Sequence, residues 1–231
     1  MSKYKLLCFP HAGGSGAVYY PWQESVNNCI KVVGVEYAGR GKRYGKKLCT
    51  SMHELVEDLY QRLLNEIDGG DYAVFGHSLG GLVAYEFVCK ASGSGYRLPV
   101  HIFLSGCNPP ADEKPEKMIN MCPDHEFLEL LINSGGMIDS VLTNKELLDF
   151  YLPIIKSDYK VYETHISKKL ILPVDMTICA GKDDTIAKLK TIHGWKNYTS
   201  GICTIHEFNG GHFYINENIK AVMRLINNVL V

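Results

Sequence analysis

The stretch Gly76-His77-Ser78-Leu79-Gly80 decides the fold class, because it places a serine between an apolar, strand-like run at 72–75 and a helical pattern at 82–88. Glycines at positions 76 and 80 leave room for neighbouring backbone, as a strained turn requires. Such a turn would hold the Ser78 hydroxyl at the N-terminus of the next helix, where the positive dipole end favours a developing anion. A chance match in a glycine-rich turn is the alternative, but the flanks favour a nucleophile elbow at Ser78.

Further apolar runs indicate a parallel sheet on both sides of this turn. They are short and rich in Val, Ile, Leu and Phe, and most do not alternate, as is typical of strands covered on both faces. The predicted strands are 5–9, 30–35, 72–75, 100–104, 174–179 and 203–208. Helical patterns at 52–67, 79–90 and 215–230 lie between or after them, and Ser51 with Glu54 forms a capping-box pattern before the first. This alternation predicts one α/β domain over residues 1–231 with a doubly wound, mostly parallel sheet.

Residues 107–172 interrupt the alternation. Pro109-Pro110 opens this segment, no convincing strand follows, and helical patterns occupy 124–133, 144–155 and 159–165. An ordinary crossover needs fewer residues, so the segment predicts a helical insertion that lies over the C-terminal strand ends as a lid.

Composition excludes several function classes. The 231 residues are 46% hydrophobic with a net charge of −1, so no basic field indicates nucleic acid. No apolar run is long enough to span a bilayer, and no export signal is found, so we expect a cytoplasmic protein, a monomer by default. The eight cysteines are scattered without a C-x-x-C pair, so we expect reduced, mostly buried thiols and neither a disulfide framework nor a metal site.

A serine nucleophile needs a base and an acid, which in this arrangement follow it in the order acid, then histidine. Among nine histidines, His212 follows Asn209-Gly210-Gly211, directly after the last predicted strand, where a base can reach across the strand ends. His206, inside that strand, is its one serious rival. For the acid, Asp183 and Asp184 both follow the strand at 174–179, and the residues alone leave the choice open.

The anion that forms during acyl transfer needs backbone N–H donors. One should be the amide of Leu79, directly after the nucleophile, and the second should come from an early loop after a strand. Residues 10–16, Pro-His-Ala-Gly-Gly-Ser-Gly, form such a loop. Their glycines match neither G-x-x-x-x-G-K-[ST] nor G-x-G-x-x-G, so nucleotide binding is not expected.

With these pieces the chain resembles the type II (editing) thioesterases of nonribosomal peptide and polyketide biosynthesis, within the α/β-hydrolase superfamily. The resemblance rests on the opening LCFPHAGGS at 7–15, on YAGRGKR at 37–43, on GHSLGG at 76–81, on the lid segments between 124 and 159, and on GKDD and FNGGHF at 181–184 and 208–213. Ala38 stands where the family usually has proline. GHSLGG alone is shared with many hydrolases, whereas the other segments are more specific.

The resemblance implies hydrolysis of acyl groups held as thioesters on the phosphopantetheine arm of a carrier protein, which removes misprimed or stalled groups. Ser78 would be the nucleophile, His212 the base and Asp184, with Asp183 as alternate, the acid. The amides of Leu79 and Ala12 would form the oxyanion hole, and no cofactor or metal would be needed.

The expected partner is an acyl or peptidyl carrier protein. A basic cluster could bind this partner, or its residues could simply belong to a solvated loop: Arg40, Lys42, Arg43, Lys46 and Lys47. Apolar lid residues could line an acyl pocket or only pack the lid on the core: Phe127, Leu128, Leu131, Ile132, Leu147 and Phe150. The alternatives to a thioesterase are an esterase acting on free oxyesters, an acyltransferase and a non-catalytic module that binds carrier proteins.

Overall fold

A computed structural model describes residues 2–110, 118–133 and 143–231. Its centre is one six-stranded sheet in which all strand pairs are parallel and the order is β2-β1-β3-β4-β5-β6. The strands are β1 (Tyr4–Phe9), β2 (Ile30–Gly34), β3 (Asp71–His77), β4 (His101–Ser105), β5 (Met176–Gly181) and β6 (Cys203–Phe208). All six predicted strands are therefore present, with ends displaced by at most two residues.

Helices cover both faces of the sheet. They are α1 (Met52–Ile67), α2 (Leu79–Gly93), α3 (Asp124–Asn133), α4 (Lys145–Thr164), α5 (Leu189–Ile192), α6 (Tyr214–Glu217) and α7 (Ile219–Leu230), with 3₁₀ turns at Gly16–Glu24, Gly41–Arg43, Ile119–Met121 and His193–Tyr198. Helix α1 begins as predicted: the Ser51 hydroxyl accepts a hydrogen bond from the Glu54 amide at 3.2 Å. The Glu54 carboxylate accepts from the Thr50 amide at 2.8 Å, one residue earlier than in a regular capping box.

The apolar core has two layers, one on each face of the sheet. Helices α1 and α2 pack with Leu7 and Val74 on one face, and α7 packs with Leu6 and Phe75 on the other, together with Trp22 of the first 3₁₀ turn. Because successive strand residues point to opposite faces, a strand covered on both sides needs an unbroken apolar run. The doubly wound α/β prediction is confirmed.

The described part of the segment 107–172 contains helices and no strand. Helix α4 runs through Pro153 to Thr164, where the sequence had predicted two patterns separated at 156–158. That separation is wrong because each polar residue there has a partner in the folded chain: Lys156 binds Asp124, Ser157 donates to the Cys49 carbonyl, and Asp158 binds Arg40. The part of the predicted insertion at 111–117 and 134–142 lies outside the described residues.

The last predicted helix is also different, since Asn218 separates α6 from α7. All eight cysteines lie in the described ranges with free thiols, four of them buried and none exposed. No helix in those ranges combines the length and apolarity that a membrane span requires.

Candidate active site

Ser78 sits in the turn between β3 and α2 with φ 57° and ψ −124°. Among the described residues it is the only non-glycine residue with positive φ, a conformation that costs energy and that marks a strained turn. A Cβ added at Gly76 would overlap the backbone of Gly80, and one at Gly80 would overlap the carbonyl of Phe9. The Ser78 amide donates to the Ser105 carbonyl at 2.8 Å, which ties the turn to the end of β4.

Three side chains from three strand ends form one hydrogen-bonded chain. The Ser78 Oγ lies 2.9 Å from Nε2 of His212, and Nδ1 of His212 lies 2.9 Å from Oδ2 of Asp184. A carboxylate can only accept, so Nδ1 carries the proton and Nε2 is left with the lone pair that faces the serine hydroxyl. This arrangement gives the serine a base and the base an anionic partner, which is the requirement for nucleophilic catalysis.

The two adjacent aspartates have different surroundings. Asp183 is exposed, whereas Asp184 is buried and its Oδ1 accepts from the amides of Ile186 and Ala187 at 2.8 and 2.9 Å. Burial opposes the charged carboxylate, but the hydrogen bond and charge of His212 and these two amides together lower the pKa of Asp184. Asp184 is therefore held as an anion against His212.

His206, the rival candidate for the base, is not part of this hydrogen-bonded chain. It lies on β6 and is half-buried. Two other histidines, His77 and His11, lie near His212. The His77 ring lies 5.1 Å from the His212 ring and 6.2 Å from the His11 ring, and His77 Nδ1 pairs with the Ser105 hydroxyl at 2.9 Å. Burial, helped by His212 and His11, holds the pKa of His77 well below its usual range. Burial, His212 and Arg40 lower the pKa of His11 to about 4, so both rings are neutral near pH 7.

The two residues predicted to supply oxyanion donors, Leu79 and Ala12, line the same cavity as Ser78. Leu79 is the first residue of α2, so its amide has no acceptor within the helix. The next amide after Ala12 in its loop, that of Gly13, donates to Oδ2 of Asp158 at 2.7 Å and is occupied.

A mostly apolar cavity opens at Ser78. Sequence analysis did not single out several of the residues that line it, which come from the ends of β4 and β5 and from α4: Cys107, Asn108, Ile186, Ile155, Tyr159 and Tyr162. Cys107, Asn108 and Ile186 could have been predicted as site residues from their position just after strand ends, because parallel strands end at one edge of a sheet. A second cleft adjoins this cavity and shares His11, Ala12, Ile155 and Phe213 with it.

Of the six apolar residues that the sequence assigned to a lid, Leu131 lines the Ser78 cavity. Phe127 is fully buried in the insertion, Phe150 lines the adjoining cleft, and Ile132 and Leu147 are 49% and 38% exposed. The alternative in which most of the six residues do not line an acyl pocket therefore describes their positions better, since Leu131 is the one among them that lines the Ser78 cavity.

The basic cluster also needs a correction. Arg40 is 3% exposed and is paired with Asp158, so it is not part of a docking surface. Arg43 binds both carboxylate oxygens of Asp58 at 2.6 and 2.7 Å. Three exposed lysines remain in the cluster: Lys42, Lys46 and Lys47. Within the ranges that the structure describes, no three His, Cys, Asp or Glu side chains are grouped as a metal ion would require.

Comparison with known proteins adds independent findings. A family model described as a thioesterase domain matches residues 4–230. Thioesterase PikA5 of Streptomyces venezuelae is 31% identical over 233 residues, covering 100% of this chain and 82% of the relative. The medium-chain S-acyl fatty acid synthase thioesterase of Rattus norvegicus is 30% identical over 224 residues, covering 93% and 84%. The crystal structure of ClbQ from the colibactin NRPS/PKS pathway matches with a TM-score of 0.93 and 34% identity, covering 99% of this chain and 97% of that one.

Proposed function

The chain belongs to the thioesterase family, and from this premise we propose that it is a type II enzyme that hydrolyses acyl thioesters on the phosphopantetheine arm of carrier proteins. Its role would be to remove misprimed or stalled acyl groups from a nonribosomal peptide or polyketide synthetase. The observation that carries the proposal is the chain of hydrogen bonds from Ser78 through His212 to Asp184, of which Ser78 and His212 line an apolar cavity.

The first half-reaction transfers the acyl group to the enzyme. Oγ of Ser78 attacks the thioester carbonyl carbon while Nε2 of His212 takes the hydroxyl proton. The tetrahedral intermediate collapses, the C–S bond breaks, and the imidazolium returns its proton to the leaving thiolate of the pantetheine arm. Asp184 stabilises the imidazolium and keeps the ring in the productive orientation.

The second half-reaction releases the acid. Water attacks the acyl-Ser78 ester, His212 takes a proton from the water, and the C–O bond to Ser78 breaks as the serine is reprotonated. In both steps the amides of Leu79 and Ala12 receive the negative charge that develops on the carbonyl oxygen. No step requires a metal or a diffusible cofactor.

The substrate part of the proposal draws on the relatives. ClbQ is named for the colibactin NRPS/PKS pathway and the rat protein for fatty acid synthase, so both names refer to multi-enzyme acyl synthesis. We propose that a carrier protein is the transient partner and that the helices of residues 107–172 form a lid over the cavity. The protein would act as a monomer. The cytoplasmic location expected from the sequence stays a prediction.

The test measures acid release from acetyl- and propionyl-phosphopantetheinyl carrier protein beside the matching acyl-N-acetylcysteamine and an oxyester. We expect preference for the carrier-bound thioester and loss of turnover in Ser78→Ala. His212→Gln should also be inactive, and His206→Gln is its matched control, with turnover within about twofold of the wild type.

The remaining alternatives are outcomes of the same experiment. Equal or better turnover of the oxyester would replace the proposal with a general esterase. Products in which an added alcohol or amine carries the acyl group would indicate an acyltransferase. A folded wild-type protein whose Ser78 does not react with a fluorophosphonate probe would indicate a non-catalytic module.

A further inference from the structure

A buried ion pair joins the helical insertion to the loop after β2. Arg40 Nη1 and Nη2 donate to Oδ2 and Oδ1 of Asp158 at 2.5 and 2.7 Å. Their side chains are 4% and 5% exposed. Burial disfavours the charged guanidinium, but the hydrogen bonds and charge of Asp158 more than offset this and raise the pKa of Arg40.

The same pair holds the glycine-rich loop that carries Ala12. The Gly13 amide donates to Oδ2 of Asp158 at 2.7 Å, and Arg40 Nη1 donates to the Gly14 carbonyl at 3.3 Å. The Gly14 amide in turn donates to the His11 carbonyl at 3.0 Å. That carbonyl belongs to the peptide unit whose N–H is the Ala12 amide, so the contacts fix the plane in which this N–H lies.

The loop also fits closely against α4 at this point. Gly13 has φ 76°, and a Cβ built on it would lie 2.6 Å from Cγ1 of Ile155. The approach of the loop to Asp158 therefore depends on a left-handed glycine next to Ala12.

Stability alone does not account for a charged pair at this position. Replacing a buried ion pair with well-packed apolar residues is often neutral or stabilising, because desolvation offsets the attraction between the charges. An apolar pair would fill the space, but it would supply no acceptor for the Gly13 amide and no donor for the Gly14 carbonyl.

We propose that Asp158 is a positioning residue for catalysis at Ser78: it orients the Ala12 amide toward the oxyanion through Gly13, and Arg40 holds it in place. The inference rests on the proposed function, in which Ala12 is an oxyanion donor. Since Asp158 lies on α4, the oxyanion hole is complete only while this helix is seated on the loop. The insertion thereby acts on the rate of the chemical step as well as covering the cavity.

The test uses two variants of the full chain. Asp158→Asn removes one acceptor and the charge, and the double variant Arg40→Met/Asp158→Leu replaces the pair with apolar residues. For each we would measure kcat and KM on acyl-N-acetylcysteamine and on an oxyester, inhibition by an alkylboronic acid, and thermal unfolding. A boronate forms a tetrahedral adduct on the serine, so its affinity reports on the oxyanion hole.

We expect kcat to fall by about 10- to 100-fold in both variants, with KM changed less than about threefold, because a displaced donor weakens binding of the transition state more than binding of the substrate. Boronate affinity should fall in parallel with kcat. The double variant should unfold close to the wild-type temperature, so that the loss of rate cannot be ascribed to loss of fold. Glu163→Gln is the matched control, since Glu163 is a buried carboxylate on α4 that accepts from the amides of Ile119 and Asn120, away from the loop.

A double variant that folds and keeps the wild-type kcat would overturn the inference, as would a change confined to KM. Failure of both variants to fold, with Glu163→Gln folded, would also overturn it and make the pair a structural support. A wild type that cleaves the oxyester but no thioester contradicts the proposed function alone, because the oxyester kinetics still measure the oxyanion hole.

Discussion

The turn around Ser78 and helix α4 both border the candidate active site, but they are held there by different contacts. The turn packs backbone against backbone, with Gly76 and Gly80 at positions where no side chain fits. Helix α4 meets the loop of Ala12 through side chains, namely Ile155 and Asp158. Backbone contacts leave no freedom in the position of the serine, whereas side-chain contacts can separate and form again without refolding the sheet.

The largest effect on activity should come from changing one side-chain atom behind the Ser78 turn, in the residue that pairs with His212. Asp184→Asn keeps the shape of the side chain but removes the anion that fixes the His212 tautomer, so we expect kcat to fall by about 10⁴-fold. Asp183→Asn, one residue away and exposed, should stay within about twofold. The measurement is kcat of both variants on acyl-N-acetylcysteamine. A larger loss of kcat in Asp183→Asn would show that Asp183, and not Asp184, is the acid that pairs with His212.

A methyl group added inside the turn should destabilise the whole fold. Gly80→Ala places a Cβ against the Phe9 carbonyl of β1, and we expect a loss of more than about 4 kcal/mol in unfolding free energy. Gly93→Ala, at the other end of α2, meets nothing within 4 Å and should be neutral or stabilising by less than about 1 kcal/mol. Urea unfolding measures both, and a folded, stable Gly80→Ala would show that the turn can rearrange.

A cavity made in the core of the helical insertion should destabilise α3 and α4 without destabilising the sheet. Phe127 belongs to a small core within the insertion, with Cys122, Leu131 and Ile155, separate from the two layers on the sheet. Phe127→Ala should cost about 3 kcal/mol there, and amide hydrogen exchange should rise in α3 and α4 while the central strands stay protected. If α3, α4 and the strands instead lose protection together, the insertion and the sheet form one cooperative unit and the distinction between the two regions fails.

Acid should destabilise the fold through the two buried histidines near Ser78, His11 and His77. The folded-state pKa of His11 is about 4 and that of His77 is also lowered, whereas unfolded histidines titrate near about 6.5. Between these values the unfolded chain binds protons that the folded chain does not, so stability falls as the pH drops from about 7 toward about 4, by up to about 1.4 kcal/mol per pH unit for each histidine.

Urea unfolding between pH 7.5 and 5 tests this, with His77→Gln expected to flatten the dependence. His125→Gln is the control, since His125 lies exposed on α3 of the insertion. An equal slope in all three proteins would mean that other groups cause the acid sensitivity.

The elements most dependent on local periodicity were predicted best. Helices α1 and α3 and strand β6 have the bounds that the apolar patterns gave. Helix α4 was predicted as two pieces because the polar residues at 156–158 look like a break, whereas in the fold the helix runs through them and their side chains bind partners in distant segments. The docking role of Arg40 failed for the same reason, since a cationic residue in a loop gives no sign in the sequence that a carboxylate 118 positions away will bury it.

The sequence by itself determined the parallel sheet, the turn at Ser78 and the loop of His212, because each depends on residue periodicity or on glycine at one place in the chain. Residue patterns alone left Asp183 and Asp184 open, the family resemblance favoured Asp184, and the structure places Asp184 against His212. Tertiary structure alone decided that Arg40 is buried and that Asp158 of α4 binds the Gly13 amide across 145 positions of sequence. The physical reason is that backbone conformation is set largely by near neighbours, whereas hydrogen bonds between side chains depend on which strand ends and helices the finished fold brings together.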